Sequence, residues 1–155
     1  MVEYQLNQKD YDDRMHSKSA FRIFLCKLFG LLIQIIFSNE IRIQMARAMG
    51  IKVGKKVYIG KYCIIDDTFS NLITIEDNVV ISFGATITAH DASNNKVAPV
   101  VIKKGAFIGA RSIILPGVTL AENSIVGAGS VVTRDVSRGK VVVGCPAREI
   151  KKNEL

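Results

Sequence analysis

The chain has 155 residues, a length that favours one domain with a moderate core and argues against two large independent domains. Apolar residues make up 48% and charged residues 23%, which is typical of a folded globular protein and excludes a disordered chain. The basic excess is 21 − 14 = 7, and it is concentrated, because residues 1–16 carry −2, residues 17–61 carry +8 and residues 62–155 carry +1. Such a basic stretch indicates a nearby anionic surface: lipid headgroups, phosphates of a ligand or nucleic acid.

The few cysteines and histidines narrow the class of protein further. The three cysteines, Cys26, Cys63 and Cys145, are widely spaced without a CxxC pair, and the first residues lack the basic-then-apolar order of a secretory signal. We therefore expect reduced thiols and a cytoplasmic protein. The histidines are His16 and His90 alone, which excludes a metal site of three imidazoles within one chain, so no metal is expected.

Residues 1–50 form the first predicted region, a polar lead followed by an apolar helical segment. Residues 20–37 are almost wholly apolar, and Ser38 with Asn39 is a candidate break and cap. A second helical stretch follows and stops at Gly50. The pattern predicts two helices.

The apolar face of the first helix has three candidate environments. On a helical wheel Lys27, Gln34 and Ser38 share one side, which leaves a broad apolar face to be buried. As a helix, residues 21–37 would span about 25 Å, less than the ~30 Å hydrocarbon thickness, and charged side chains interrupt them, so full membrane spanning is disfavoured. Packing on the rest of the protein or on a neighbouring subunit, and a peripheral membrane contact through residues 17–61, both stay open.

From residue 53 onward an aliphatic side chain recurs every six residues, a period that fits neither a helix nor a simple strand alternation. Four residues after each aliphatic position comes a second column, which is small or aliphatic at most positions. Six residues hold one short strand and one turn, so three repeats form a triangular coil of eighteen residues. The pattern predicts an all-β solenoid over residues 51–150, with about four coils and a height of about 20 Å. The aliphatic positions are Val53, Ile59, Ile65, Ile75, Ile81, Ile87, Ile102, Ile108, Ile114, Leu120, Val126 and Val132.

Two irregular stretches interrupt the repeat, at residues 69–74 and 93–101. Each follows the third side of its coil, so both loops leave the same corner, and loops on a rigid scaffold are the usual carriers of function. A histidine lies at the mouth of the longer loop, and the equivalent position one coil below is a threonine next to two aspartates. An imidazole suits a general base, and a carboxylate could hold its other ring nitrogen. We predict His90 as the catalytic base and Asp66, Asp67 and Thr68 as substrate-binding residues.

The repeat resembles that of the hexapeptide-repeat acyltransferases over residues 51–150. This resemblance implies that the prism winds as a left-handed parallel β-helix. Residues 87–91 (ITAHD) and 99–102 (PVVI) look like the active-site stretch of the galactoside and maltose O-acetyltransferases. The match implies that His90 deprotonates an acceptor hydroxyl and that acetyl-CoA is the co-substrate. It also implies a homotrimer that binds the coenzyme between neighbouring subunits.

Residues 106–136 and 144–150 are similar to the acetyl-coenzyme-A-binding half of that branch. Ala110 and Ala128 are eighteen residues apart and therefore stack in successive coils, where small side chains make a smooth groove edge. Lys151, the last of the predicted coenzyme-binding residues, lies in a basic C-terminal tail, residues 151–155. By this similarity the coenzyme-binding residues are Phe107, Ala110, Ala128, Thr133, Arg134, Arg148 and Lys151.

The sequence leaves the acceptor open. The N-terminal segment is similar to that of hexapeptide transferases that modify cell-surface polysaccharides. This favours an acetyl-CoA-dependent O-acetyltransferase with a small-molecule or glycan acceptor, in the cytoplasm or on the inner membrane face. The alternatives are an N-acetyltransferase acting on an amino sugar or small antibiotic, and a non-catalytic β-helix scaffold at the membrane. Nucleic-acid binding is disfavoured because the basic stretch lacks a recognised reading motif.

Overall fold

The computed structural model describes residues 19–150, which form two helices followed by sixteen short strands. Helix α1 spans Ala20–Ile35 and helix α2 spans Asn39–Ala48, which confirms the two predicted helices. Ser38 caps α2 by accepting a hydrogen bond from the N–H of Ile41. Within the described part of the chain, no helix is long and apolar enough to cross a membrane. The polar lead and the basic tail lie outside the described residues.

The strands form three sheets of parallel strands and one hairpin. The first sheet contains β1 (Lys52–Val53), β4 (Ile73–Ile75), β9 (Val100–Ile102) and β12 (Thr119–Leu120). The second contains β2 (Tyr58–Ile59), β5 (Val80–Ile81), β10 (Phe107–Ile108), β13 (Ile125–Val126), β15 (Val141–Val143) and the antiparallel edge strand β16 (Arg148–Ile150). The third contains β3 (Ile64–Ile65), β6 (Thr86–Ile87), β11 (Ile113–Ile114) and β14 (Val131–Val132). The hairpin pairs β7 (His90–Asp91) with β8 (Lys96–Val97).

Consecutive strands visit the three sheets in turn, so the chain winds in three-sided coils. The first coil is β1–β2–β3 and the second is β4–β5–β6, and after the hairpin come β9–β10–β11 and β12–β13–β14. The later coils keep the eighteen-residue register, as in the pairs Phe107 with Ile125 and Ile113 with Val131. Four three-sided coils of parallel strands agree with the prediction from the six-residue period.

The interior is filled by the two columns that the period predicts. All twelve aliphatic positions are buried except Val53, which is half-buried in the first coil. The second column is also buried, with polar members such as Ser112, and Asp91 alone in it turns outward. Asp91 departs from the column because the chain leaves the coil there to form the β7–β8 hairpin. Each buried aliphatic side chain contributes about 1.5–3 kcal/mol, so these columns are the main source of stability.

Glycines at one corner let neighbouring coils approach closely. A Cβ atom on Gly109 would lie 2.5 Å from the backbone N of Ala128, and one on Gly60 would lie 2.5 Å from the backbone N of Phe83. Both separations are far below van der Waals contact, so any side chain at these positions would push two coils apart.

The two helices cover the end of the prism formed by the first coil, where they contact β1, β2 and β3. Helix α1 buries Cys26 and Ile33 against this end. Arg42 of α2 is 2% exposed and ties the α1–α2 junction to β2 by donating to three backbone carbonyls, those of Ile36, Phe37 and Ile59. The helical segment therefore packs on the prism through one of its faces.

The two interruptions of the repeat leave one corner, as predicted, but their boundaries differ from the prediction. The first follows β3 and contains a 3₁₀ turn at Ser70–Leu72, and residues 73–74 already belong to β4. The second begins at Thr88, includes the hairpin and ends before residues 100–101, which belong to β9. The predicted limits were wrong because both strands start before the aliphatic position that marks their repeat.

Candidate active site

A cleft of about 420 Å³ lies between α1 and the third sheet at the first two coils. This volume suits a small-molecule acceptor group. The corner that follows the third-sheet strands contributes Asp66, Asp67, Thr88 and His90 to it. Helix α1 forms one wall with Lys27, Gly30, Leu31 and Gln34, and β3 and β6 form the other with Ile64, Ile65, Thr86 and Ile87.

His90 and Asp66 form a hydrogen-bonded pair across one coil step. The Nδ1 atom of His90 lies 2.5 Å from Oδ2 of Asp66. Ile65 and Ile87 are partners in the parallel pairing of β3 with β6. Asp66 follows Ile65 directly, whereas His90 lies three residues after Ile87 and begins β7. The coil geometry therefore brings together two residues that lie 24 positions apart.

The Asp66 carboxylate is buried and occupied by the chain itself. Its Oδ1 accepts hydrogen bonds from the backbone N–H groups of Thr68 at 3.0 Å and Phe69 at 2.8 Å. Its Oδ2 accepts from the N–H of Ala89 at 2.9 Å in addition to His90. The Thr88 hydroxyl adds a longer hydrogen bond to Oδ2, at 3.4 Å. These five bonds occupy both oxygens, so Asp66 orients the imidazole and has no oxygen to spare for an acceptor.

The pairing changes both pKa values. Burial alone would raise the pKa of Asp66, but hydrogen bonds from His90 and from the N–H groups of Phe69 and Ala89 outweigh it and lower that pKa. The hydrogen bond with Asp66 raises the pKa of His90, and partial burial opposes the rise. The ionised carboxylate accepts the Nδ1 proton, so neutral His90 carries its lone pair on Nε2.

Neighbouring groups hold the imidazole while leaving it accessible. The buried ring of Phe69 lies 5.4 Å from the His90 ring, centroid to centroid, at an interplanar angle of 49°. The hydroxyl of Thr88 accepts from the N–H of His90 at 3.3 Å and donates to the His90 carbonyl at 2.7 Å. The His90 side chain is 31% exposed. A fixed and accessible ring is what a general base requires.

The structure separates the three residues predicted to bind substrate. Asp66 and Asp67 both belong to the cleft lining, but the Asp66 carboxylate is held by His90 and by backbone N–H groups. Asp67 accepts a hydrogen bond from the hydroxyl of Thr68 at 3.0 Å, and its Oδ2 lies 4.0 Å from Nζ of Lys27. Thr68 does not belong to the cleft lining. Asp67 is therefore the member of the three that is placed to meet an acceptor.

The predicted coenzyme residues lie at two different corners of the prism. Thr133 and Arg134 follow β14, at the same edge of the third sheet as His90 and two coils further on, about 10 Å along the prism. Ala110 and Ala128 precede β11 and β14, so they lie at the opposite edge of that sheet.

The remaining coenzyme predictions concern the second sheet and the tail. Phe107 lies on β10 with 40% of its surface exposed, and the exposed Arg148 lies on the edge strand β16. Both belong to the sheet that leads into the Ala110 corner. Lys151 lies outside the described residues. One chain therefore does not gather these residues around His90.

Sequence reasoning missed the wall that α1 contributes. A signal was present, because Lys27 and Gln34 share one side of a mostly apolar helix, and this side lines the cleft. Gly30 lies between them, where an added Cβ would be 3.4 Å from Cβ of Asp67, so a small residue permits the close approach. Periodicity does not reveal which part of the prism a preceding helix will contact.

The cysteines do not extend the site. Cys63 is fully buried, burial raises the pKa of its thiol, and its Sγ donates to the carbonyl of Ser82 at 3.2 Å. A thiol in this environment is a poor nucleophile. Among residues 19–150, no cluster of three or more His, Cys, Asp or Glu side chains is arranged to hold a metal ion.

Comparisons with known proteins define the class. Residues 99–134 match the family described as bacterial transferase hexapeptide (six repeats), and residues 50–89 match the hexapeptide repeat of succinyl-transferase. The chain belongs to the hexapeptide-repeat transferases. Within this class it is similar to the galactoside O-acetyltransferase of Escherichia coli strain K12, with 33% identity over 111 residues that cover 66% of this chain and 54% of that protein. The chain spans 54% to 61% of the length of the first curated relatives it matches.

Solved structures share the fold. A hexapeptide-repeat acetyltransferase from Vibrio cholerae O1 biovar eltor, complexed with acetyl coenzyme A, superposes with a TM-score of 0.71 at 22% identity and covers 91% of this chain and 97% of that chain. An N-acyltransferase from Bacillus cereus, in complex with dTDP and coenzyme A, has a TM-score of 0.58 at 27% identity and covers 65% of this chain and 62% of that chain.

Proposed function

We propose that the protein is an acetyl-CoA-dependent O-acetyltransferase that acetylates a hydroxyl group of a sugar or polysaccharide-type acceptor. The observation that carries this proposal is the Asp66–His90 pair at a cleft of about 420 Å³. A base that is fixed by a buried carboxylate and open to a cavity suits the activation of a hydroxyl. Similarity to proteins named acetyltransferases supports the choice of donor.

His90 acts as the general base in this proposal. Its Nε2 takes the proton of the acceptor hydroxyl while Nδ1 keeps its hydrogen bond to Asp66, which stabilises the imidazolium that forms. The acceptor oxygen attacks the thioester carbonyl, and backbone N–H groups stabilise the oxyanion. The carbon–sulfur bond then breaks, and the imidazolium returns its proton to the leaving thiolate. The products are an acetyl ester and a free thiol, without an acyl-enzyme.

The cleft lining supports a sugar-like acceptor. Leu31 and Ile64 offer apolar surface for the face of a sugar ring, and polar side chains surround them in the lining. Asp67 and Gln34 offer hydrogen bonds to neighbouring hydroxyl groups. Asp66 and Thr68 then shape the site from behind, through their bonds to His90 and Asp67.

The coenzyme site is assigned to the contact between subunits. The predicted coenzyme residues divide between opposite edges of the third sheet, and side-by-side prisms in a homotrimer would bring one edge to the opposite edge of the next subunit. Ala110 and Ala128 would then line the pantetheine arm, and Arg148 would approach the phosphates. The trimer and the left-handed winding are carried over from the family.

A thiol-release assay tests the function. Purified full-length chain is mixed with acetyl-CoA and a panel of hydroxyl sugars, lipid-linked glycans and amino sugars, and products are identified by mass spectrometry. We expect thiol release with a hydroxyl acceptor and an acetyl ester that mild base hydrolyses. Absence of release with every acceptor, in a protein that still binds acetyl-CoA, would favour the non-catalytic scaffold.

Transfer to an amine is a second candidate, because an N-acyltransferase is among the similar solved structures at 27% identity. A pair of acceptors that share one ring and differ in a hydroxyl or an amino group separates the two reactions. An amide product that resists mild base, formed from the amino sugar alone, would replace O-transfer by N-transfer.

A further inference from the structure

Helix α1 exposes an apolar stripe that no other part of the described chain covers. We define the α1 stripe as Phe21, Phe24, Leu28, Leu31 and Ile35, whose spacing of three and four residues puts them on one side of the helix. Their exposed fractions are 69%, 61%, 36%, 60% and 57%. The buried side of α1 is equally apolar, so the helix presents apolar surface both to the prism and to its surroundings. A continuous apolar patch of this kind marks an interaction surface.

Positive charge accompanies the α1 stripe. Helix α1 contains Arg22 and Lys27 and no acidic residue. Phe37, just beyond its end, is 83% exposed, and Nζ of Lys61 lies 3.8 Å from its ring centroid. An exposed aromatic ring with an ammonium group above it suits the headgroup level of a bilayer. The +8 charge of residues 17–61 extends this match to an anionic surface.

The length of α1 determines how it can meet lipid. Its 16 residues extend about 24 Å, which is too short to cross a hydrocarbon layer of ~30 Å. Lying flat, the helix would bury the α1 stripe while its basic side chains remain at the headgroups. A second copy of the chain is a poorer match, because a symmetric contact would bring Arg22, Lys27 and Lys61 near their own copies.

We propose that α1 is an interfacial helix that docks the protein on an anionic lipid surface through the α1 stripe and Phe37. The helices cover the first-coil end of the prism. In the trimer of the proposed function, parallel prisms place three such helices at one end, where they bind one surface together. Leu31 belongs both to the α1 stripe and to the cleft lining, so the cleft opens beside the lipid.

Vesicle co-sedimentation of the full-length chain tests the proposal. Wild type is mixed with vesicles of phosphatidylcholine and phosphatidylglycerol in a three-to-one ratio, and with pure phosphatidylcholine. We expect binding to the anionic vesicles and weaker binding to the neutral ones. The double variant Phe21→Ser, Phe24→Ser should bind the anionic vesicles roughly a hundredfold more weakly, about tenfold for each phenylalanine. Tyr58→Ser is the matched control, since Tyr58 is 48% exposed outside the α1 stripe, and its binding should equal that of wild type.

Three results would overturn the docking proposal: no binding of wild type to anionic vesicles, equal binding by wild type and the double variant, or equal loss of binding in Tyr58→Ser. A double variant that changes its oligomeric state in light scattering, with wild type free of vesicles, would assign the α1 stripe to a neighbouring copy. Thiol release with a soluble acceptor separates this question from the proposed function. Neither phenylalanine lines the cleft, so the double variant should keep the wild-type rate in solution.

Discussion

Replacing Asp66 by Asn tests how the activity depends on the carboxylate behind His90. The amide keeps the shape of the side chain, so Oδ1 still accepts from the N–H groups of Thr68 and Phe69. An NH₂ group now replaces Oδ2 and faces the N–H of Ala89 and Nδ1 of His90. This NH₂ group can only donate to Nδ1, which moves the imidazole proton to Nε2 and removes the lone pair that would take the acceptor proton.

The expected losses follow from these contacts. We expect kcat/KM of Asp66→Asn to fall by about 10²–10⁴-fold, the usual contribution of a general base. The free energy of unfolding should fall by about 2–3 kcal/mol, since a charge-assisted hydrogen bond is lost and the N–H of Ala89 loses its acceptor. Asp91→Asn is the matched control, because this half-buried residue is adjacent to His90 in sequence but its carboxylate bonds to Ser93 and Asn94. Asp91→Asn should therefore change kcat/KM and the free energy of unfolding only slightly.

The pH profile of Asp66→Asn gives a second readout. Because Asp66 raises the pKa of His90, wild-type activity should rise with pH through a midpoint above the ordinary value of about 6.5. In Asp66→Asn the hydrogen bond from Nδ1–H to the carboxylate and the negative charge are both lost, and partial burial lowers the pKa of His90. The midpoint of the residual activity should therefore move to lower pH than in wild type. The same shifts affect stability. The raised pKa of His90 stabilises the fold below about pH 6.5, and this contribution is lost as pH rises through the folded pKa.

The stabilisation contributed by Asp66 depends on pH in the opposite direction. Its lowered pKa stabilises the fold above about pH 3.9, and this contribution is lost as pH falls through the folded pKa. The stability advantage of wild type over Asp66→Asn should therefore be largest between about pH 4 and 6.5. The assay is initial-rate thiol release across this range and above it, with urea unfolding at matched pH. An unchanged rate with an unshifted midpoint in Asp66→Asn would refute the reasoning.

Two further predictions concern the scaffold. Arg42→Ala leaves three backbone carbonyls without their donor and should lower the free energy of unfolding by about 3 kcal/mol or more. Arg47 is exposed, so Arg47→Ala should change the free energy of unfolding by less than about 1 kcal/mol. Equal losses for the two variants in urea unfolding would contradict the role of Arg42. Gly109→Ala puts a Cβ 2.5 Å from a backbone N and should lower the free energy of unfolding by about 1–3 kcal/mol. Gly30 lies on a helix and an added Cβ would be 3.4 Å from Cβ of Asp67, so Gly30→Ala should stay within about 1 kcal/mol of wild type. Thermal unfolding of both glycine variants checks the contrast, which fails if Gly30→Ala loses as much as Gly109→Ala.

Much of the scaffold could be predicted because its core repeats. The six-residue period identifies the buried columns, since each short strand must bury one aliphatic residue such as Ile81 or Ile108. The same period reveals the corner from which both loops leave, and hence the neighbourhood of His90. The loop boundaries near Ile73 and Val100 could not be predicted, because strand pairing extends past the aliphatic position by amounts that depend on the neighbouring coil.

The site could be predicted less completely than the scaffold. The register between coils puts the two aspartates near His90, but the choice of Asp66 as its partner depends on which side chain turns inward, and the strand spacing does not determine this. The α1 wall could not be placed either, because an apolar helix can pack on any side of the prism. Its broad apolar face was expected to be buried on the prism, on a neighbouring subunit or at a membrane; one side packs on the prism, and the α1 stripe is exposed within the described chain.

The most direct measurement of the central claim is acetyl transfer by His90→Ala, at the acceptor identified by the panel, with acetyl-CoA affinity determined on the same sample. The account predicts that transfer falls by about 10²-fold or more while the affinity for acetyl-CoA and the unfolding midpoint stay close to wild type. Transfer at the wild-type rate by a folded His90→Ala protein would contradict it.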